Sequence, residues 1–166
     1  MAQPQPSSPY RLMVEGTDDQ HSVIHLLARH GYQWESEMAL RPFVQTAGGR
    51  DAAGFDNLIQ AVPVALKSHR RLGVVVDMDL VPDNRWGRLR ACLRASGVEV
   101  PQAVPREGLV VNGVNGSGGC ERFGVWLMPD NEGEGMLEDF LVKLVPGGDL
   151  RQRSRARVAV QVAARV

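Results

Sequence analysis

Leu72-Gly-Val-Val-Val-Asp77-Met-Asp79 is an unbroken apolar run that stops on two acids spaced two apart. A run without polar alternation fits a central parallel strand, which needs helices on both faces to cover it. Side chains two residues apart on an extended chain point the same way, so the Asp77 and Asp79 carboxylates face one point beyond the strand's carboxyl end. Two like charges this close repel unless a cation sits between them, and Mg²⁺ accepts one or two carboxylates together with water and phosphate oxygens. Asp also suits turns and helix N-caps, so the pair by itself is equally a strand-end turn.

Outward from this strand, strand-like and helix-like segments alternate, the pattern of an α/β domain. Arg11 to Val14 reads as the first strand and runs into Glu15-Gly16-Thr17-Asp18-Asp19-Gln20, where Thr17 and Gln20 suggest a capping box. Val23, Ile24, Leu26 and Leu27 then supply an apolar helix face, with Gly31 placed as its C-cap. Pro42 to Ala47 is a second strand. A second helix presents Phe55, Leu58, Ile59, Val62 and Leu66, with a kink expected at Pro63. After the central strand comes a helix with Trp86, Leu89 and Leu93 inward, closed by Gly97 and carrying Arg85, Arg88, Arg90 and Arg94. Leu109–Asn112 and Phe123–Met128 read as further strands. The glycine-rich loop 115–119 between them opens onto a strand rather than a helix, so it suits a hairpin turn better than a phosphate cradle. Leu137, Phe140, Leu141 and Leu144 mark the last helix.

The chain has 166 residues, suited to one domain, and no apolar run approaches the roughly 20 residues of a membrane span. Residues 1–9 form a Pro/Gln/Ser-rich arm without a signal-peptide core, so the protein is expected to be cytoplasmic and off the membrane. Cys92 and Cys120 lack metal-site spacing and read as reduced thiols. Charge is balanced overall, but residues 151–166 hold five arginines and no acid, leaving residues 1–150 at a net −5. This basic tail, 146–166, reads either as an edge strand or nucleic-acid-binding arm, or as the out-of-frame end of a GC-rich coding sequence.

In an open α/β sheet, ligands collect at the carboxyl ends of the strands, where acids following different strands can converge. Glu15 follows the first strand, Asp77 and Asp79 the third, and Asp130 a later one. A cation held there lowers the pKa of a bound water and neutralises phosphate oxygens, while Glu15 either ligates it or moves a proton. Glu15 is equally explained as a carboxylate favoured by a helix N-terminus. His21 and His25 share a helix face at i and i+4 but lack a third ligand, and they read as a solvated pair. Trp34, Trp86 and Trp126 read as core or core-edge residues. The arginines at 85–94 are either a solvated face or a ridge for a polyphosphate backbone.

Val14-Glu15-Gly16 at one strand end, with Val76-Asp77-Met78-Asp79 at another, resembles the Toprim domain of topoisomerases, primases, recombination-repair proteins and overcoming-lysogenisation-defect nucleases. Gly124 to Asn131, followed by Gly135 to Phe140, is similar to small stand-alone Toprim-like proteins. The resemblance covers roughly residues 10–145. It implies a compact three-layer α/β fold, a central and mainly parallel sheet of about four strands flanked by helices. It also implies Mg²⁺-dependent phosphodiester chemistry, with Mn²⁺ able to substitute. On this resemblance Glu15 is a general acid/base or metal ligand, Asp77 and Asp79 are the metal pair, and Asp130, Glu138 and Asp139 are extra acids near the site. Glu138 and Asp139 fit the polar face of the last helix equally well.

The expected function is therefore a nuclease or nucleotidyl-transfer module acting on nucleic acid or a nucleotide; the resemblance also allows dependence on a neighbouring partner ATPase, as in some Toprim nucleases, and no Walker motif occurs in this chain. One rival is a haloacid-dehalogenase-like phosphatase with Asp77 as nucleophile. That class usually carries its Asp-x-Asp on the first strand and needs a later lysine, and the lysines here are Lys67 and Lys143. The other rival is a metal- or nucleotide-binding partner subunit without turnover.

Overall fold

A computed structural model describes residues 9–31, 43–47, 54–78, 84–114 and 119–144. Along the chain these form β1 (Tyr10–Val14), α1 (Thr17–Arg29), β2 (Val44–Thr46), α2 (Phe55–Ser68) and β3 (Arg71–Asp77). They continue with α3 (Arg85–Ala95), β4 (Leu109–Asn112), β5 (Arg122–Met128) and α4 (Leu137–Lys143). The tail, Trp34, Asp79 and the loop 115–118 lie outside the described residues.

The strands form one five-stranded sheet in the order β2-β1-β3-β5-β4, in which only β4 runs antiparallel to its neighbour. The mainly parallel α/β sheet expected from the sequence is thus present, with β4 as an added antiparallel edge. β3 lies at the centre, paired along its whole length with β5 from Arg71↔Arg122 to Asp77↔Met128. Residues on alternate sides of β3 meet different helices, as a strand covered on both faces requires. Leu72, Val74 and Val76 join Phe123, Val125 and Leu127 in the larger core, into which α2 sends Leu58, Val62 and Leu66 and α3 sends Leu89 and Leu93. On the opposite face Val14 and Val44 pack with Val23 and Ile24 of α1, and Leu12 and Val75 lie against them.

The helix boundaries follow the local chemistry, with one shift from expectation. The N-cap of α1 is Gly16, whose N–H donates to Asp19 Oδ2 at 2.8 Å, so Asp19 does the capping that Thr17 and Gln20 were expected to share. Gln20 instead donates through Nε2 to the carbonyl of Val44 in β2. Gly31 and Gly97 follow α1 and α3 with φ of +82° and +81°, the left-handed conformation that ends helices. Pro63 sits inside α2 and cannot donate to the carbonyl of Ile59; the Cys92 thiol of α3 approaches that oxygen at 3.5 Å instead. Neither Cys92 nor Cys120 is in a disulfide.

Phe123 is fully buried on the central pair of strands, whereas Val64 on the outer side of α2 is 66% exposed. Phe123→Ala is expected to lower unfolding stability by about 3–5 kcal/mol. Val64→Ala should stay within about 0.5 kcal/mol of the parent, both read from equilibrium urea unfolding.

Candidate functional site

The chain leaves β1 for β2 on one side of the sheet, then returns past β1 to place β3 on the other. The strand order therefore reverses between β1 and β3, and their carboxyl ends border the crevice where open α/β sheets bind ligands. Glu15 is the first residue beyond β1, and Asp77 is the last of β3.

These two positions meet. The backbone N–H of Asp77 donates to Glu15 Oε1 at 2.8 Å. Arg85, the first residue of α3, brings Nη1 to Glu15 Oε1 at 2.8 Å, to Oε2 at 2.9 Å and to the Asp77 carbonyl at 3.1 Å. The main-chain carbonyl of Glu15 also accepts from Gly54, the residue that caps α2 with φ of +126°. One glutamate thus ties together the ends of two strands and the starts of two helices. Asn84 fixes where α3 begins by accepting from the Gly87 N–H at 2.9 Å, and the Arg85 guanidinium lies 5.0 Å from the centre of the Phe55 ring.

Further acids crowd this pair. Asp19 is buried at the start of α1. Glu138 of α4 is drawn in because the Met78 N–H donates to the Gly135 carbonyl, which anchors the approach to α4 beside the end of β3. Burial pushes the Asp77 carboxyl up to about 8, and the negative charges of Asp19, Glu15 and Glu138 add to that, against the single opposing pull of Arg85. Burial also raises Asp19, helped by Glu138 and opposed by the hydrogen bond from Gly16. Glu15 is raised by burial in spite of Arg85 and the Asp77 N–H, both of which favour its charged form. The cluster therefore sets Glu15 and Asp77 beside the Arg85 guanidinium, with Asp19 and Glu138 adding negative charge around Asp77.

The remaining acids are placed differently. Asp130 accepts from the backbone of Gly133 at 2.9 Å and pairs with Lys143, whose hydrogen bond is the main cause of its fall to about 2. It braces the turn after β5 against the end of α4. Asp139 accepts from the Met136 N–H at 3.2 Å and caps α4. Asp79 lies outside the described residues. Among the described residues, no three His, Cys, Asp or Glu side chains stand in metal-holding geometry. The arginine ridge of α3 is largely spent on acids, Arg85 on Glu15, Arg88 on Asp56 and Arg94 on Glu99.

The sequence offers no role for Asp19, and places Arg85 only within a solvated or polyphosphate-facing ridge, whereas here it is the ion-pair partner of Glu15. The signal for Arg85 was its place eight residues after Asp77, at the start of the helix that follows the same strand end. Asp19 carried the signature of a first-turn acid and nothing more.

A protein-family model for a protein of unknown function, DUF3226, matches residues 9–163. The chain belongs to the DUF3226 family. The match takes in every described element of this DUF3226 protein and continues through the arginine-rich segment 151–163. No curated protein and no solved structure matches the chain. No helix among the described residues is long and apolar enough to cross a membrane.

Two outcomes test the site. The Glu15 and Arg85 side chains are only 10% and 12% exposed, so Arg85→Met should strand a buried carboxylate and cost about 3–5 kcal/mol in urea unfolding. The double variant Glu15→Met with Arg85→Met should lose much less than the sum of the two singles. For Asp77, a folded-state pKa above the ordinary 3.8 means the folded protein holds a proton that the unfolded chain has released. Its contribution is complete below about 4 and is lost as pH rises to about 8, by at most about 1.4 kcal/mol per pH unit. Without divalent cations, stability of the parent should fall across that window relative to Asp77→Asn; parallel profiles would refute the assignment.

Proposed function

We propose that this protein performs Mg²⁺-dependent phosphotransfer as a Toprim-like nuclease or nucleotidyl-transfer module acting on nucleic acid. The observation that carries this reading is the convergence of Glu15 and Asp77 at the switch point between β1 and β3, with Asp19 and Glu138 adding to the negative field. Asp77 supplies an oxygen donor of the kind a hard cation takes, and Glu15, Asp19 and Glu138 add negative charge that favours a cation beside it. Asp77 and Asp79 would hold Mg²⁺, or Mn²⁺ in its place, with Glu138 next in reach and Asp130 kept by Lys143 on the brace of α4. When bound, the cation neutralises phosphate oxygens and makes a bound water more acidic.

Glu15 has the second role. Its Oε1 accepts from both the Asp77 N–H and Arg85, whereas among the described residues Oε2 accepts only from Arg85, which leaves it a lone pair for a proton. Arg85 fixes the direction of that oxygen, and the loss of water around it raises its affinity for a proton.

Mg²⁺-dependent cleavage of single- and double-stranded DNA should fall by at least about 100-fold in Asp77→Asn, Asp79→Asn and Glu15→Gln. Melting curves identify any variant that has lost its fold, and the exposed-side control Asp56→Asn should keep full activity. Phosphomonoester hydrolysis that survives Glu15→Gln and passes through a phosphate ester on Asp77 would overturn the proposal in favour of a dehalogenase-like enzyme. Absence of turnover with intact Mg²⁺ binding would make the protein a binding subunit.

A further inference from the structure

At the opposite end of the sheet, the amino ends of β1, β3 and β5 border a groove of about 380 Å³ with an almost wholly apolar lining. Arg71 and Arg122 are direct register partners on adjacent parallel strands, so their side chains leave the same face of the sheet only about 5 Å apart at the backbone. Like charges side by side on a sheet are destabilising unless something negative lies between them. Among the described residues neither arginine pairs with a carboxylate, while Arg70, the next residue along the chain, is fully engaged by Glu121. Arg71 is instead held 5.2 Å from the centre of the Tyr10 ring, which limits its rotamers without neutralising it.

Two residues further along, the same face carries a second in-register pair, Gly73 and Gly124. Their missing side chains make the floor, between Leu12 and Phe43 on one side and Val110 on the other. Packing explains only one of these glycines. A Cβ at Gly73 would come within 2.6 Å of Leu12 Cδ1, but one at Gly124 would meet nothing nearer than the Leu109 carbonyl at 3.5 Å, an ordinary contact. Glycine in a strand interior costs stability, so an open trough is the feature that Gly124 maintains.

We propose that this groove binds a nucleotide unit, with its phosphate on Arg71 and Arg122 and its base lying flat over Gly73 and Gly124. An apolar slot floored by backbone accepts a planar ring, and paired guanidiniums at its mouth match phosphate oxygens better than any neutral group. The volume falls within the range of small-ligand sites. Arg71 and Asp77 are six residues apart on one strand, about 20 Å, so this site is separate from the carboxylate cluster and stands whether or not that cluster is catalytic. The nucleotide arrives either free or as part of a single strand, and the two sources are separable.

Isothermal titration calorimetry of the full chain with deoxyadenosine monophosphate, deoxyadenosine, inorganic phosphate and a five-nucleotide deoxyadenosine strand tests the assignment. The monophosphate should bind at least about tenfold more tightly than either deoxyadenosine or phosphate alone. Affinity should fall at least about tenfold in the double variant Arg71→Gln with Arg122→Gln, and likewise in Gly124→Leu, while the exposed control Asp56→Asn leaves it unchanged. Circular dichroism and melting curves verify folding, and the double variant, which alters only exposed side chains, covers the case in which Gly124→Leu fails to fold. Tighter binding of the strand than of the monophosphate supports a strand unit, and equal binding supports a free nucleotide. Failure of both ligands to bind, affinity indifferent to the double variant, or equal displacement by polyglutamate, the sign of an acidic protein segment, would overturn the proposal.

Discussion

The ion pair between Glu15 and Arg85 is the constraint on which the arrangement around the crevice depends. A carboxylate at the end of a parallel strand normally faces water, but this one is buried because the start of α3 delivers a guanidinium to it and the end of β3 delivers a backbone N–H. Two charges removed from water are tolerated only when their hydrogen bonds are met, and both oxygens of Glu15 are met. In consequence the residue after β1 is tied to the last residue of β3, which runs about two residues further. The helices that follow β2 and β3 then start from fixed points, at Gly54 and Asn84. The same pair leaves Asp77 among negative charges, since Arg85, the cation beside it among the described residues, is already committed.

Much of the fold was legible because apolar strands and amphipathic helices differ in period. The run Leu72–Val76 announces a central strand, and Glu15 and Asp77 follow their strands closely enough that sheet topology alone brings them together. What remained hidden depends on three-dimensional partners. Arg85 looks like its neighbours Arg88, Arg90 and Arg94, and only its place at the first position of the helix after β3 sets it apart. Asp130 follows a strand as Glu15 does, yet it lies three residues before Gly133 and thirteen before Lys143, and those two groups claim its carboxylate. The capping of α1 was legible in kind but not in register. Asp19 could reach the Gly16 N–H, which freed Gln20 for a longer reach to β2.

Chemistry divides along the strands. Acids collect where β1 and β3 end, and arginines collect where β3 and β5 begin. Because the pleat sends alternate residues to opposite faces, Arg71, Gly73, Val75 and Asp77 all belong to one face of β3. That single face carries a cationic end, a bare middle, an apolar patch beneath α1 and an anionic end. The opposite face of the same strand is uniformly apolar beneath α2 and α3.

The bond from Gln20 to the carbonyl of Val44 has a consequence for the sheet's outer margin. β2 is an edge strand of three residues, and it gives its Phe43 carbonyl inward to the Leu12 N–H. Adjacent carbonyls on an extended chain point to opposite sides, so the Val44 oxygen faces outward, where a strand from another molecule would otherwise pair. Gln20 occupies that acceptor from within the same chain. An edge this short, with its outward oxygen already engaged, gives little template for intermolecular strand addition. A side chain of α1 thereby acts as a guard against self-association at the one margin formed by a parallel strand.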